Sequence, residues 1–171
     1  MTVISDSWRT PNIIMKTLFR PNFSVFHDER FQALIEKLLF TTYKIGAEYE
    51  EAPEYTDCVT ATRYILENSS DIVLPWVYIG DMPNILRNDG FREVSLQEGK
   101  RGDIVFFEKM SLRHEAYMVA HMGILVSEND FFHSSIHFGG GKISSIRDID
   151  YNSLILDESF LEIAKDPRNN H

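Results

Sequence analysis

The sequence predicts an α+β domain in which N-terminal helices pack on an antiparallel sheet. Up to Gly90, apolar residues recur with helical spacing. Beyond it, the chain consists of short segments in which apolar and polar residues alternate, separated by turns. Helices followed by consecutive strands are typical of a domain whose helices cover one side of an antiparallel sheet. The 171 residues are enough for one such domain with a full core.

The predicted elements begin after an N-terminal segment without clear periodicity, residues 1–27, which we interpret as a loosely packed arm. Helices are predicted over 28–45, 57–68 and 81–88, each starting with an aspartate in the N-cap position. Gly46 and Gly90 are expected to end the first and third helices. An acidic loop follows the first helix.

Strands are predicted throughout the second half of the chain, with turns rich in glycine, asparagine and aspartate. Their bounds are 91–95, 103–107, 117–126, 131–138, 142–146 and 160–164. Residues 167–171 form a polar tail, which leaves 28–166 as the predicted domain.

Composition excludes several classes of protein. The formal net charge of −9 argues against nucleic acid or an anionic membrane as the main partner. No apolar run is long enough for a membrane span, and no secretory signal peptide is recognisable. With one cysteine, the chain can form neither an internal disulfide nor a multi-cysteine zinc site, and we expect no metal or cofactor.

That cysteine, Cys58, has two interpretations. A free cysteine is most often a small buried hydrophobe, and composition alone favours this. However, Cys58 falls in the first turn of the second predicted helix, where free N–H groups and the helix dipole stabilise a thiolate and lower its pKa. The same N–H groups could bind an oxyanion, so a catalytic nucleophile is the second interpretation.

A cysteine nucleophile is commonly activated by an adjacent histidine that acts as a general base. Alternation in the strand 117–126 places His121 and Gly123 on its less apolar face, beside open space, although a structural histidine is also compatible. His133 and His137 share a face of the next strand, and hairpin register decides which of them lies opposite His121. A zinc site of these histidines lacks a carboxylate partner at ligand spacing.

Four short sequence blocks surround these candidates. They are Gly46-Ala47-Glu48-Tyr49, Tyr55-Thr56-Asp57-Cys58-Val59-Thr60, Arg101-Gly102-Asp103-Ile104-Val105-Phe106-Phe107, and His121-Met122-Gly123-Ile124-Leu125 followed by Phe132-His133-Ser134-Ser135. In this order they resemble the GxPY, DCS, pGDlvff and HVGIY–iHAS blocks of the NlpC-type cell-wall peptidases, a papain-like family. The resemblance covers about residues 28–149.

The resemblance implies a papain-like fold with a set of site residues. Cys58 would be the nucleophile, His121 its base and His133, in preference to His137, the residue that orients the base. Tyr49 and Asp57 would contact the substrate.

The implied substrate is a peptidoglycan stem peptide, cut between D-glutamate and the diamino acid through a thioester. Val59 replaces a serine that helps the family hold its substrate, and the loop before Cys58 is short and acidic, so the bond that is cut stays open. Alternatives are a Cys–His amidase, deamidase or transferase effector acting on another amide, and a binding module without activity. We expect the protein in the cytoplasm, or exported by a system that needs no signal peptide.

Overall fold

The computed structural model describes residues 14–75, 77–111 and 116–147, in which three helices pack on one sheet of eight strands. The helices are α1 (Asp28–Leu38), α2 (Cys58–Ser69) and α3 (Met82–Asn88). The strands are β1 (Ile14–Arg20), β2 (Thr42–Tyr43), β3 (Tyr55–Thr56), β4 (Arg92–Val94), β5 (Ile104–Ser111), β6 (Ala116–Leu125), β7 (Asp130–Ser135) and β8 (Gly140–Ser145).

The order of strands in the sheet is β3-β2-β8-β7-β6-β5-β1-β4. Every neighbouring pair is antiparallel except β2 and β3, which run parallel. The predicted α+β class is therefore confirmed, and the sheet is mixed at one edge instead of purely antiparallel. None of the helices in the described ranges is long and apolar enough to cross a membrane.

The predicted N-terminal arm is wrong for residues 14–20, which form β1 in the interior of the sheet between β5 and β4. Leu18 and Phe19 are both buried, one on each face of the sheet. A strand buried on both faces carries adjacent apolar residues and does not alternate. Its end is fixed by Arg20, whose guanidinium donates to both carboxylate oxygens of the buried Asp103 at 2.8 and 2.9 Å.

Helix α1 is shorter than the predicted 28–45. It ends at Leu38, and the chain enters β2 four residues later. Thr41 holds this segment against β3, since its hydroxyl lies 3.0 Å from that of Thr56. Of the predicted strands, those up to residue 146 coincide with β4–β8, although β7 ends at Ser135 where a turn begins. The strand predicted over 160–164 and the tail lie outside the described residues.

Both faces of the sheet are buried at its centre. The helix-side core includes Phe19, Ile65, Phe106, Met122 and Ile124. The opposite core is formed by Leu18, Val105, Phe107, Leu125, Phe131 and Ile146. Strand β6 therefore has no open face between Val119 and Leu125, contrary to the sequence expectation for the side that carries His121.

Gly123 on β6 permits the close approach of β6 and β7. A Cβ at this position would lie 2.5 Å from the backbone oxygen of Phe132 and 2.9 Å from the ring of Phe131. We expect Gly123→Ala to lower the free energy of unfolding by about 3 kcal/mol, because a backbone atom cannot yield.

Chemical denaturation of both proteins measures this loss. Gly90→Ala is the matched control, since no atom lies within 4 Å of its Cβ position and only its positive φ of 88° opposes the change. That control should lose about 1 kcal/mol. Equal losses for the two variants would contradict the packing argument.

Candidate active site

Asp57 determines where α2 begins. Its backbone is extended, and its carboxylate accepts the N–H of Thr60 at 2.8 Å, as an N-cap does. The backbone N–H groups of Val59 and Gly46 also bond to this carboxylate, which counteracts the increase in pKa that burial causes. The predicted cap is confirmed. The same carboxylate is bonded to the helix start and the preceding loop, and its implied contact with substrate stays a prediction.

Cys58 is the first residue of α2 and is only 2% exposed, in the helix-side core next to Met122. Its sulfur lies within reach of three backbone N–H groups, those of Met122, Val59 and Cys58 itself. These donors favour a thiolate, but burial raises the pKa of the thiol above its usual range and the neighbouring Asp57 raises it further. The expected depression of this pKa is thus wrong, because desolvation outweighs the helix N-terminus.

The neighbourhood of Met122 is shaped by the divergence of β6 and β7. The two strands pair only at Ile124 with Phe132 and at Leu125 with Phe131. From Gly123 towards the start of β6 this pairing stops. The backbone of Met122 can then meet the sulfur of Cys58 on α2, which packs against both strands.

His121 and His133 form a buried pair across this divergence. His121 Nε2 lies 2.7 Å from His133 Nδ1, and the rings meet edge to face. The two histidines are 2% and 0% exposed, with Phe107 against one ring and Phe131 against the other. Burial lowers the pKa of His121 to about 3 and holds that of His133 well below its usual range, so both rings are neutral at pH 7.

The hairpin register differs from both registers considered for the sequence. Pairing of Leu125 with Phe131 places Gly123, and not His121, opposite His133. His133 reaches His121 diagonally, and the missing side chain of Gly123 leaves the space for it. The contact favoured by the family pattern is nevertheless present, whereas His137 is exposed and packs on Phe138.

Tyr49 lies on another face of α2. Its hydroxyl accepts a hydrogen bond from Asn68, and its ring packs against Tyr64 and the guanidinium of Arg63. At about 100° per residue, Arg63 and Tyr64 lie on the side of the helix opposite Cys58, whereas Asn68 lies closer to it, about 80° away around the helix. These contacts do not include Cys58, and the contact of Tyr49 with substrate stays a prediction.

Tyr43 is the residue that the sequence analysis missed. Its hydroxyl is buried and finds no hydrogen-bond partner among the described residues. Burial raises the pKa of this phenol, and Cys58 and Asp57 lie close enough to raise it further. Extending the first helix to residue 45 hid this tyrosine, which in fact belongs to the short strand β2.

The candidate site therefore consists of a thiol at a helix start, a buried pair of imidazoles on β6 and β7, and a phenol without a hydrogen-bond partner in the described ranges. In the described ranges, no three His, Cys, Asp or Glu side chains are grouped to hold a metal ion. This set is suited to acyl transfer to sulfur, with proton transfer by His121.

Comparison with known proteins identifies the family of the chain. The model of the NlpC/P60 family matches residues 41–155, more than half of the chain. Among solved structures, NlpC1 from Trichomonas vaginalis superposes with a TM-score of 0.55 at 20% identity, over 75% of this chain and 42% of that one. The chain thus spans less than half of this structural relative. No curated protein matches the sequence.

Proposed function

Because the chain belongs to the NlpC/P60 family, we propose that it is a cysteine peptidase or amidase acting on peptidoglycan-derived peptides. The observation that carries the proposal is the use of the two nitrogens of His121. Nε2 is engaged by His133, so only Nδ1 remains to take a proton. The next residue, Met122, has its backbone N–H near the Cys58 sulfur, so the proposed base lies one residue along β6 from the strand backbone that contacts the proposed nucleophile.

In the proposed reaction, both groups start neutral. His121 Nδ1 accepts the thiol proton as the sulfur attacks an amide carbonyl, and the imidazolium then protonates the leaving amine. Water, activated by the same nitrogen, hydrolyses the thioester and frees the thiol. Proton transfer by a positioned side chain contributes about 10²–10⁴-fold to such a rate.

Charge on the carbonyl oxygen needs donors near the sulfur. The N–H group of Cys58 at the start of α2 is one such donor, because the Asp57 carboxylate accepts from Thr60 and Val59 and not from Cys58. The Tyr43 hydroxyl is a second, since a buried hydroxyl without a partner among the described residues gains a bond when an oxyanion forms.

We expect Tyr43→Phe to lower kcat by about 10²-fold with little change in KM, because it removes a bond made mainly in the transition state. Steady-state kinetics on a soluble muropeptide measures the effect. Tyr49→Phe is the matched control and should retain full activity, because its hydroxyl faces Asn68. A large loss of activity in the Tyr49 variant alone would show that Tyr49, and not Tyr43, is the tyrosine that acts in the site.

The finer proposal is cleavage between D-glutamate and the diamino acid of a stem peptide, with a preference altered by Val59. Mass spectrometry of defined muropeptides incubated with the protein tests it, since the masses of the two fragments identify the bond. If every muropeptide stays intact while a protein amide is cleaved or modified, the amidase, deamidase or transferase alternative replaces this proposal.

A second candidate, a binding module without activity, is favoured by the burial of Cys58 and His121, each only 2% exposed. Moreover, no hydrogen bond joins their side chains in the part of the chain that is described. Iodoacetamide labelling at neutral pH separates the two candidates. In the enzyme, His121→Gln should slow alkylation of Cys58 at least about tenfold, because the base forms the thiolate. In an inert module, Cys58 should be alkylated equally slowly in the wild type and in the His121→Gln variant.

A further inference from the structure

Ser144 on β8 is the third member of the buried chain that begins at His121. Its hydroxyl oxygen lies 2.9 Å from His133 Nε2. In the β7–β8 ladder it pairs with Phe131, so it is a diagonal neighbour of His133 on the same face of the sheet. Ser144 is half-buried, which leaves its own O–H able to donate to solvent.

Hydrogen bonds along this chain can run in two directions. A neutral imidazole carries one N–H and one bare nitrogen. If His133 donates from Nε2 to Ser144, its bare Nδ1 accepts from Nε2 of His121, and Nδ1 of His121 is left bare. If Ser144 donates instead, both histidines carry their proton on Nδ1, and His121 cannot accept a proton from Cys58 there.

The charged state of His121 permits only the first direction. When His121 has taken the thiol proton, both of its nitrogens carry hydrogen, and Nε2–H must point at His133 Nδ1. His133 must then hold its proton on Nε2, where the acceptor within hydrogen-bond distance is Ser144. If residue 144 could not accept a hydrogen bond, the Nε2–H of His133 would be buried without a partner whenever His121 is charged.

We propose that Ser144 is a positioning residue that accepts the Nε2–H of His133 and thereby fixes the tautomers of both histidines. This inference rests on the proposed function in one respect, namely that the bare Nδ1 of His121 serves as the base. It acts through His133 and not on substrate, so its loss should reduce kcat and leave KM nearly unchanged.

Long-range ¹H–¹⁵N spectra of the full chain labelled at histidine test the assignment without any substrate. We expect wild-type His133 to be protonated at Nε2, and Ser144→Ala to shift part of the population to the Nδ1–H form. Ser144→Thr keeps the hydroxyl and should restore the wild-type spectrum. Ser145→Ala is the matched control, because its hydroxyl accepts from the backbone of Arg147 and not from a histidine.

Kinetics provides the second measurement. Ser144→Ala should lower kcat about tenfold, as expected for one neutral hydrogen bond, while Ser144→Thr and Ser145→Ala stay near wild type. Protonation of wild-type His133 at Nδ1 would overturn the inference, as would a Ser144→Ala variant with unchanged tautomers, whatever its activity. If the spectra behave as expected but no muropeptide is cut, the role of Ser144 in fixing the tautomers stands and the proposed function fails.

Discussion

Cys58→Ala is expected to reduce muropeptide hydrolysis to the background rate while the protein stays folded. Without the sulfur there is no thioester, because Cys58 is the one cysteine of the chain. The substitution removes one small atom from the helix-side core, so it should cost about 1 kcal/mol of stability. Mass spectrometry of the muropeptide products measures activity, and thermal unfolding measures the remaining stability.

Cys58→Ser is the control for packing, since it keeps the shape of the side chain. It should fail as completely as the alanine variant, because a serine hydroxyl is much harder to ionise than a thiol and the site already disfavours the charged form of residue 58. Turnover of any identified substrate by either variant would end the cysteine-hydrolase proposal.

The second large effect concerns the three histidines of the hairpin. His121→Ala should lose about 10²–10⁴-fold in kcat, because it removes the group that moves the proton. His133→Ala should lose less, since an orienting residue fixes the tautomer and ring position without accepting the proton itself. His137→Ala should remain at the wild-type rate, because this side chain lies in the exposed turn.

Rates have to be compared at equal concentrations of folded protein, because His133 is fully buried and its loss also opens a cavity. Circular dichroism and thermal unfolding establish the folded fraction of each variant. A large loss for His137→Ala with little change for His133→Ala would mean that the orienting residue had been assigned to the wrong histidine.

The elements that were predicted correctly are those determined by residues close together in the sequence. The start of α2 was predicted correctly because a cap is a contact within four residues, between Asp57 and Thr60. The strands from β4 to β8 were also found, since short apolar runs between turn residues identify them. The pairing of His121 with His133 followed from the family pattern, although the register that produces it was not predicted.

The predictions that were wrong concern features that depend on contacts between distant parts of the chain. Nothing near Leu18 and Phe19 shows that β5 and β4 pair on either side of them. The pKa of Cys58 was expected to fall because the helix start is visible in the sequence, whereas the burial that raises it comes from packing against β6. Tyr43 was missed because apolar spacing alone extended a helix through the turn that precedes β2.

The position of β1 also has a consequence for the order of folding. The first described strand completes its ladders only with residues near the middle of the chain, since Ile14 pairs with Lys109 and Leu18 with Val94. During synthesis, its apolar residues leave the ribosome long before those partners exist. High contact order of this kind slows folding and prolongs the exposure of unpaired edges. Strand β1 therefore stays unpaired, with its apolar residues open to wrong contacts, until β4 and β5 have emerged.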